Sequence, residues 1–204
     1  MNFRTFSNFI GGDAAEGILL YQPPMSGEIR NEHIRAVNEA TKGWSVLCDL
    51  TRTEVSAKVS AFQGDSTVVD AVPGIFHTIA RRISEIAEIG AEHVFFQYIV
   101  VGSGGEVKRH YDAAAPGYVT YKCNICIDGP DDDAIYVDKQ RFPVARGDLY
   151  CFEASLYGHR MEKHDRPRVH LSYGFMLPYA RFGLDETSPR VRLSRKIWRH
   201  FVGE

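Results

Sequence analysis

YVTYKCNICIDG, residues 118–129, is a run of aromatic and β-branched residues closed by Asp and Gly, the composition of a strand that leads into a turn. Within it Lys122 and Asn124 alternate with Cys123 and Ile125, so a strand's period of two puts two polar groups on one face. That face is read either as the inside of a barrel, where the pair touches a ligand, or as a solvent-facing surface. The same texture recurs in HVFFQYIVVG (93–102), AIYVD (134–138), GDLYCFEAS (147–155) and RVHLSYGFML (168–177), with Gly, Pro and Asp between the runs. Repeated short strands separated by turns imply an antiparallel sandwich or barrel.

Upstream the pattern is helical. In GIFHTIARRISEIAEIG (74–90), Ile75, Ile79, Ile83 and Ile86 recur every three to four residues, which predicts a helix stopped by Gly90. NEHIRAVNEATKG (31–43) reads as a shorter helix and WSVLCDL (44–50) as a strand. The last segment, SPRVRLSRKIWRHFVGE (188–204), predicts a basic amphipathic helix with Leu193, Ile197 and Phe201 near one face and Trp198 also packing. The fold class expected is therefore α+β, mainly β: a jelly roll with N-terminal helices packed on it. We expect one domain over 1–204, with a mainly helical part at 1–90, a jelly-roll catalytic core at 91–180 and a basic helix at 181–204.

Composition narrows the partners. The 204 residues suffice to bury a core without staples, and 44% hydrophobic with 25% charged residues is ordinary for a globular protein. Lys and Arg total 24 against 26 acids, a formal charge of -2, so no global basic field exists to hold a nucleic acid. Nowhere do eighteen uncharged apolar residues run together, so no membrane partner is expected. Of four cysteines (Cys48, Cys123, Cys126 and Cys151), three lie in strand-like runs and read as reduced, buried thiols. Cys123 and Cys126 form a C-x-x-C whose members a strand points to opposite faces. These readings predict a soluble, cytoplasmic protein and leave its oligomeric state open.

The chemistry starts in GSGGEVKRHYDAAAPGY (102–118). On an extended chain His110 and Asp112 project from the same side, so imidazole and carboxylate can converge on one point. His77, His93, His159, His164 and His170 are the available third partners. His159 follows a strand ending in Gly158, whereas His164 sits in the charged loop EKHDRPR and is its main rival. Two His and one carboxylate on one face of a metal leave open positions and suit non-haem ferrous iron. A chelating co-substrate with a free distal carboxylate would need a cationic anchor inside the barrel. Arg168 offers a planar fork for it and Ser172, on the same strand face, a further hydroxyl. His170 shares that parity, either as a substrate contact or as a satisfied core histidine.

The set of His110, Asp112, His159, Arg168 and Ser172 resembles that of the 2-oxoglutarate and Fe(II)-dependent oxygenases, over roughly His93 to Pro178. Within that family the layout looks most like the short prolyl-hydroxylase-like enzymes. The resemblance implies a double-stranded β-helix and a dioxygenase in which His110, Asp112 and His159 bind Fe(II) as the catalytic centre. It also implies 2-oxoglutarate as co-substrate, its distal carboxylate held by Arg168 and Ser172, O2 as oxidant and ascorbate as a supporting reductant. Tyr98, which shares the parity of His110 if no bulge intervenes, would add a hydroxyl to 2-oxoglutarate; the other reading is a core aromatic. Because Asp112 is present, the resemblance favours hydroxylation over halogenation, with desaturation and cyclisation open to the same ligands. The expected substrate is a small organic molecule, an amino acid or natural-product intermediate. The alternatives are a protein side-chain (prolyl-type) hydroxylase, a non-enzymatic jelly-roll binding module, and a metal-dependent cupin enzyme working without 2-oxoglutarate.

Overall fold

The computed structural model describes residues 1–12, 14–15, 55–62, 74–91, 93–101 and 103–202, with backbone alone for 55–62, 74–76, 93–98, 100 and 201. The helix expected at 31–43 and the strand expected at 44–50, with Cys48, lie outside the described residues.

The strands are β1 (Arg4–Phe6), β2 (Val55–Phe62), β3 (His93–Val101), β4 (Val107–His110), β5 (Tyr118–Asp128), β6 (Ala134–Val137), β7 (Gln140–Pro143), β8 (Leu149–Glu153), β9 (His159–Met161) and β10 (Arg168–Pro178). Helix α1 (Gly74–Ile86) precedes β3, and helix α2 (Pro189–Val202) follows β10 after a single 3-10 turn at Tyr179–Phe182. They build a six-stranded sheet in the order β1-β8-β5-β10-β3-β2 and a four-stranded sheet in the order β4-β9-β6-β7. Every pairing is antiparallel. The fold is mainly β, as expected, with its two sheets facing each other as in a double-stranded β-helix.

Alternation along β5, β8 and β10 divides the larger sheet into two unlike faces. Tyr121, Cys123, Ile125 and Ile127 of β5, Leu149 and Cys151 of β8, and Leu171, Tyr173, Phe175 and Leu177 of β10 form one apolar core with Ile79, Ala80 and Ile83 of α1. The intervening residues turn toward the smaller sheet, where Tyr150 and Phe152 meet Ile135, Val137 and Met161 in a second cluster. Lys122, Asn124, His170 and Ser172 have that second parity and are all buried, so the polar side of YVTYKCNICIDG is the inside of the barrel. The expected separation of Cys123 from Cys126 follows from the same alternation.

Both helices bury a face slightly rotated from the expected one. In α1 the inward stripe runs through Ile79, Ile83 and then Ala87, leaving Ile86 36% exposed. The helix ends at Ile86 and the chain reverses through Glu88 at φ 55, two residues before the expected stop at Gly90. Ile89 then donates its N–H to the Ser84 carbonyl at 2.9 Å and tucks into the core. In α2 the buried residues are Val191, Ser194 and Ile197, and Leu193 is 40% exposed. The helix is clamped by Arg190, which stacks over the Tyr157 ring, donates to the Leu156 carbonyl at 3.0 Å and pairs with Asp138 at 2.9 Å, so Val191 rather than Leu193 faces the barrel.

Leu171 lies at the centre of the helix-side core with no exposed surface. Leu171→Ala is expected to destabilise the protein by about 2–5 kcal/mol, read as a lower urea midpoint at unchanged slope.

Candidate metal centre

The smaller sheet brings the two ends of the motif together. His110, the last residue of β4, is the register partner of His159, the first residue of β9. Their rings stand 4.1 Å apart and tilted by 55°. Between them and the larger sheet, the Asp112 backbone N–H donates to the Ala154 carbonyl at 3.1 Å, which sets its carboxylate over both rings. Asp112 Oδ1 is 3.6 Å from His110 Nε2 and 3.6 Å from His159 Nε2. The potential ligand atoms of His110, Asp112 and His159 all lie within 4.8 Å of one another, and all three residues are buried.

Both imidazoles are oriented by the backbone two residues earlier. His110 Nδ1 lies 2.8 Å from the Lys108 carbonyl and His159 Nδ1 lies 3.2 Å from the Tyr157 carbonyl. A carbonyl only accepts, so each Nδ1 carries the proton and donates, and each Nε2 turns its lone pair inward. Among the described residues Asp112 Oδ1 and His159 Nε2 consequently have no hydrogen-bond partner despite their burial. Two buried acceptors facing one another without a donor are costly, and a divalent cation is a group that satisfies both. An ion with ligand bonds of ~2.1 Å sets neighbouring donors about 3 Å apart, and the two 3.6 Å separations from Asp112 Oδ1 lie close to that. The residues fit the metal that their pattern implies.

Electrostatics favours the metal-ready protonation states. Burial alone pushes the Asp112 carboxyl up, but Lys122, whose Nζ lies 3.0 Å from Oδ2, acts with the two histidines to hold it well below the ordinary carboxylate range. Burial, with His110 beside it, holds the His159 imidazole well below its usual value. Asp112 is thus anionic and His159 neutral at pH 7.

Arg168 starts β10 on the same inner face. Its Nε donates to Asp133 Oδ1 at 2.8 Å and its Nη1 reaches the Gly105 carbonyl at 3.4 Å. Arg168 and Asp133 are both buried, so this is an interior ion pair. Further along the strand, Ser172 Oγ and His170 Nε2 have no hydrogen-bond partner among the described residues, and neither has Asn124 Oδ1 in the facing register position on β5. His170 Nδ1 and the Tyr150 hydroxyl are 3.3 Å apart. A line of polar groups therefore runs along the barrel interior on the face that also presents Lys122.

The other sequence-derived positions fall elsewhere. His164 Nε2 pairs with Asp132 at 3.1 Å in the loop before β10, and Arg166 pairs there with Asp128 at 3.7 Å and Asp131 at 3.6 Å. Tyr98 is the register partner of Leu171, a helix-side core residue, while Gln97 and Ile99 stand opposite Ser172 and His170.

Three features escaped the sequence reading. Asp133, the partner of Arg168, hides as the third residue of an acidic run, and only its position directly before β6 marks it as the one drawn inward. Tyr150 was legible as a strand aromatic, not as a neighbour of His170. Gly158 was legible as a strand end, not as the backbone over which the Arg109 guanidinium passes, its nearest atom 2.5 Å from where a Cβ would stand.

No family model matches the sequence, and no curated protein matches it. Solved structures do. A viral collagen prolyl hydroxylase from Paramecium Bursaria Chlorella virus-1, in a 2-oxoglutarate complex, aligns with a TM-score of 0.51 at 10% identity, covering 86% of this chain and 96% of that one. A Pseudomonas putida prolyl-4-hydroxylase aligns with a TM-score of 0.50 at 13% identity, covering 84% and 91%. HygX from Streptomyces hygroscopicus, with nickel and 2-oxoglutarate bound, aligns with a TM-score of 0.54 at 8% identity, covering 86% and 82%. The structural neighbours are 2-oxoglutarate oxygenases of the double-stranded β-helix type, and at these identities the likeness is one of fold.

His170 gives the interior a titration signature. Burial, which outweighs the opposing influence of Asp133 and is reinforced by Arg168, lowers the imidazole from 6.5 to about 4. The unfolded chain therefore binds this proton first, so the stability contribution is complete above pH 6.5 and is lost as pH falls through 4. In urea unfolding of the metal-free protein, the stability difference between wild type and His170→Gln should shift against the wild type by about 3 kcal/mol between pH 7 and pH 4.

Proposed function

We propose that this chain is an Fe(II)- and 2-oxoglutarate-dependent dioxygenase that hydroxylates an unactivated carbon of a small organic substrate. The observation that carries the proposal is the convergence of Asp112 Oδ1 and His159 Nε2, buried and without partners, on the inward-facing ring of His110. Two imidazoles and one carboxylate suit ferrous iron with exchangeable positions better than a closed structural site. With 2-oxoglutarate and O2, such a centre supplies a substrate C–H to C–OH conversion, the keto acid leaving as succinate and CO2.

The chain's own residues would then divide the work. His110, Asp112 and His159 hold the metal, their orientation set by the Lys108, Tyr157 and Ala154 carbonyls. Arg168 receives the distal carboxylate of 2-oxoglutarate through the part of its fork that Asp133 and Gly105 do not engage, and Ser172 Oγ donates to the same group. Asp133 fixes the guanidinium plane, and its charge keeps Arg168 from being a lone buried cation when the co-substrate is away. Phe152, edge-on to His159 with ring centres 4.9 Å apart, walls the metal off from water on one side. The compartment proposed is the cytoplasm, in keeping with the free thiols of Cys123, Cys126 and Cys151.

A prolyl-type protein hydroxylase is the second reading, prompted by the fold shared with two prolyl hydroxylases. Offering Fe(II), ascorbate and 2-oxoglutarate with a panel of amino acids, small metabolites and proline-containing peptides separates the two by which class raises succinate formation. A protein that binds no 2-oxoglutarate and turns over with neither class would instead be a binding module.

Asp112→Ala should abolish metal uptake and lower turnover by at least about a thousandfold, measured by bound-metal analysis and succinate release. Arg168→Lys keeps a cation for Asp133 but loses the fork, and should raise the KM for 2-oxoglutarate by roughly 10–100-fold while metal content stays unchanged. An unchanged KM would remove Arg168 from the co-substrate site.

A further inference from the structure

A buried cation, Lys122, stands beside Asp112. Lys122 enters from the middle of β5, where its register partners are Phe152 on β8 and Gly174 on β10. The first packs beside His159, and the second has no side chain to crowd the lysine stem. Lys122 is itself buried, and its Nζ lies 3.0 Å from Asp112 Oδ2. The two carboxylate oxygens of Asp112 therefore have different neighbours. Oδ2 is taken by the lysine, whereas Oδ1 faces both imidazoles at 3.6 Å and has no partner. A cation present only to neutralise Asp112 would serve equally well on Oδ1. Here it occupies the oxygen not aimed at the histidines.

We propose that Lys122 is a positioning residue that reserves Asp112 Oδ2 and so restricts Asp112 to one-oxygen coordination of the metal. This deepens, and rests on, the reading of His110, Asp112 and His159 as ligands. The consequence is a matter of counting positions. An octahedral ion held by three single-atom ligands keeps three positions, of which a keto-acid chelate fills two and the oxidant needs the last. If Asp112 bound through both oxygens, the chelate would fill everything that remained. A carboxylate chelates a metal readily when both oxygens are free, and a lysine donor on one of them removes that option. Lys122 thus preserves the position on which reaction with O2 depends, without touching substrate or co-substrate.

The test uses full-length protein loaded with Mn2+ and isotopically labelled at aspartate. Infrared difference spectra between loaded and metal-free wild type should show the wide separation of carboxylate stretches that marks one-oxygen coordination. Water-proton relaxation should count three exchangeable waters on Mn2+ in the wild type and two in Lys122→Met, whose carboxylate stretches should draw together. Lys122→Arg should restore the third water. The proposal is overturned if the wild type itself shows the narrow separation, a measurement that needs no variant to fold, or if Lys122→Met keeps three waters and the wide separation. A wild type that takes up no Mn2+ and shows no metal-dependent carboxylate shift would instead remove the metal-site reading beneath it, so the two failures are distinguishable.

Discussion

A carboxylate oxygen buried against two imidazole lone pairs is the constraint on which the rest of this interior depends. Among the described residues Asp112 Oδ1 and His159 Nε2 are left without a hydrogen-bond partner, and the Nδ1 atoms of both rings face the backbone carbonyls of Lys108 and Tyr157. The fold nevertheless holds the three side chains together, through the register pairing of His110 with His159 and the Asp112 N–H bond to Ala154. The three side chains are thus placed by sheet register and by a backbone hydrogen bond of the chain itself.

Around that point the barrel carries two buried ion pairs of different design. In one, Lys122 takes Oδ2 of Asp112 and leaves Oδ1 without a partner among the described residues. Arg168 and Asp133 are held at the start of β10, where the guanidinium is fixed by an acid and a backbone carbonyl. Buried pairs of this kind add little net stability over well-packed apolar residues. Among the described residues His170 Nε2, Ser172 Oγ and Asn124 Oδ1 are further buried polar atoms without a partner, so this interior is polar where the opposite face of the sheet is apolar. Stability comes instead from the opposite face of the same strands, where Leu171, Tyr173 and Phe175 pack under α1.

Much of this was legible because strands have a simple period. The alternation of Lys122 and Asn124 with Cys123 and Ile125, and of Arg168, His170 and Ser172 with Val169 and Leu171, already divided β5 and β10 into two faces. The i, i+2 spacing of His110 and Asp112 rested on the same geometry, although Asp112 lies just past the end of β4 and its aim is set by a tertiary hydrogen bond. Helical faces were read less well. A stripe of Ile75, Ile79, Ile83 and Ile86 leaves the choice between Ile86 and Ala87 to the way the helix ends, and the burial of Val191 over Leu193 follows from the Arg190 clamp.

By itself the sequence determined the β-rich class, the two-faced strands and the residue types able to hold a metal, because these depend on local spacing and side-chain chemistry. Tertiary structure alone decided that Asp133 pairs with Arg168, and that Lys122 takes one oxygen of Asp112 and leaves the other. Each of those choices is a contact between strands or loops distant in sequence, fixed by sheet register and by how the two sheets close on each other. Residue type and spacing along the chain do not encode such a distance.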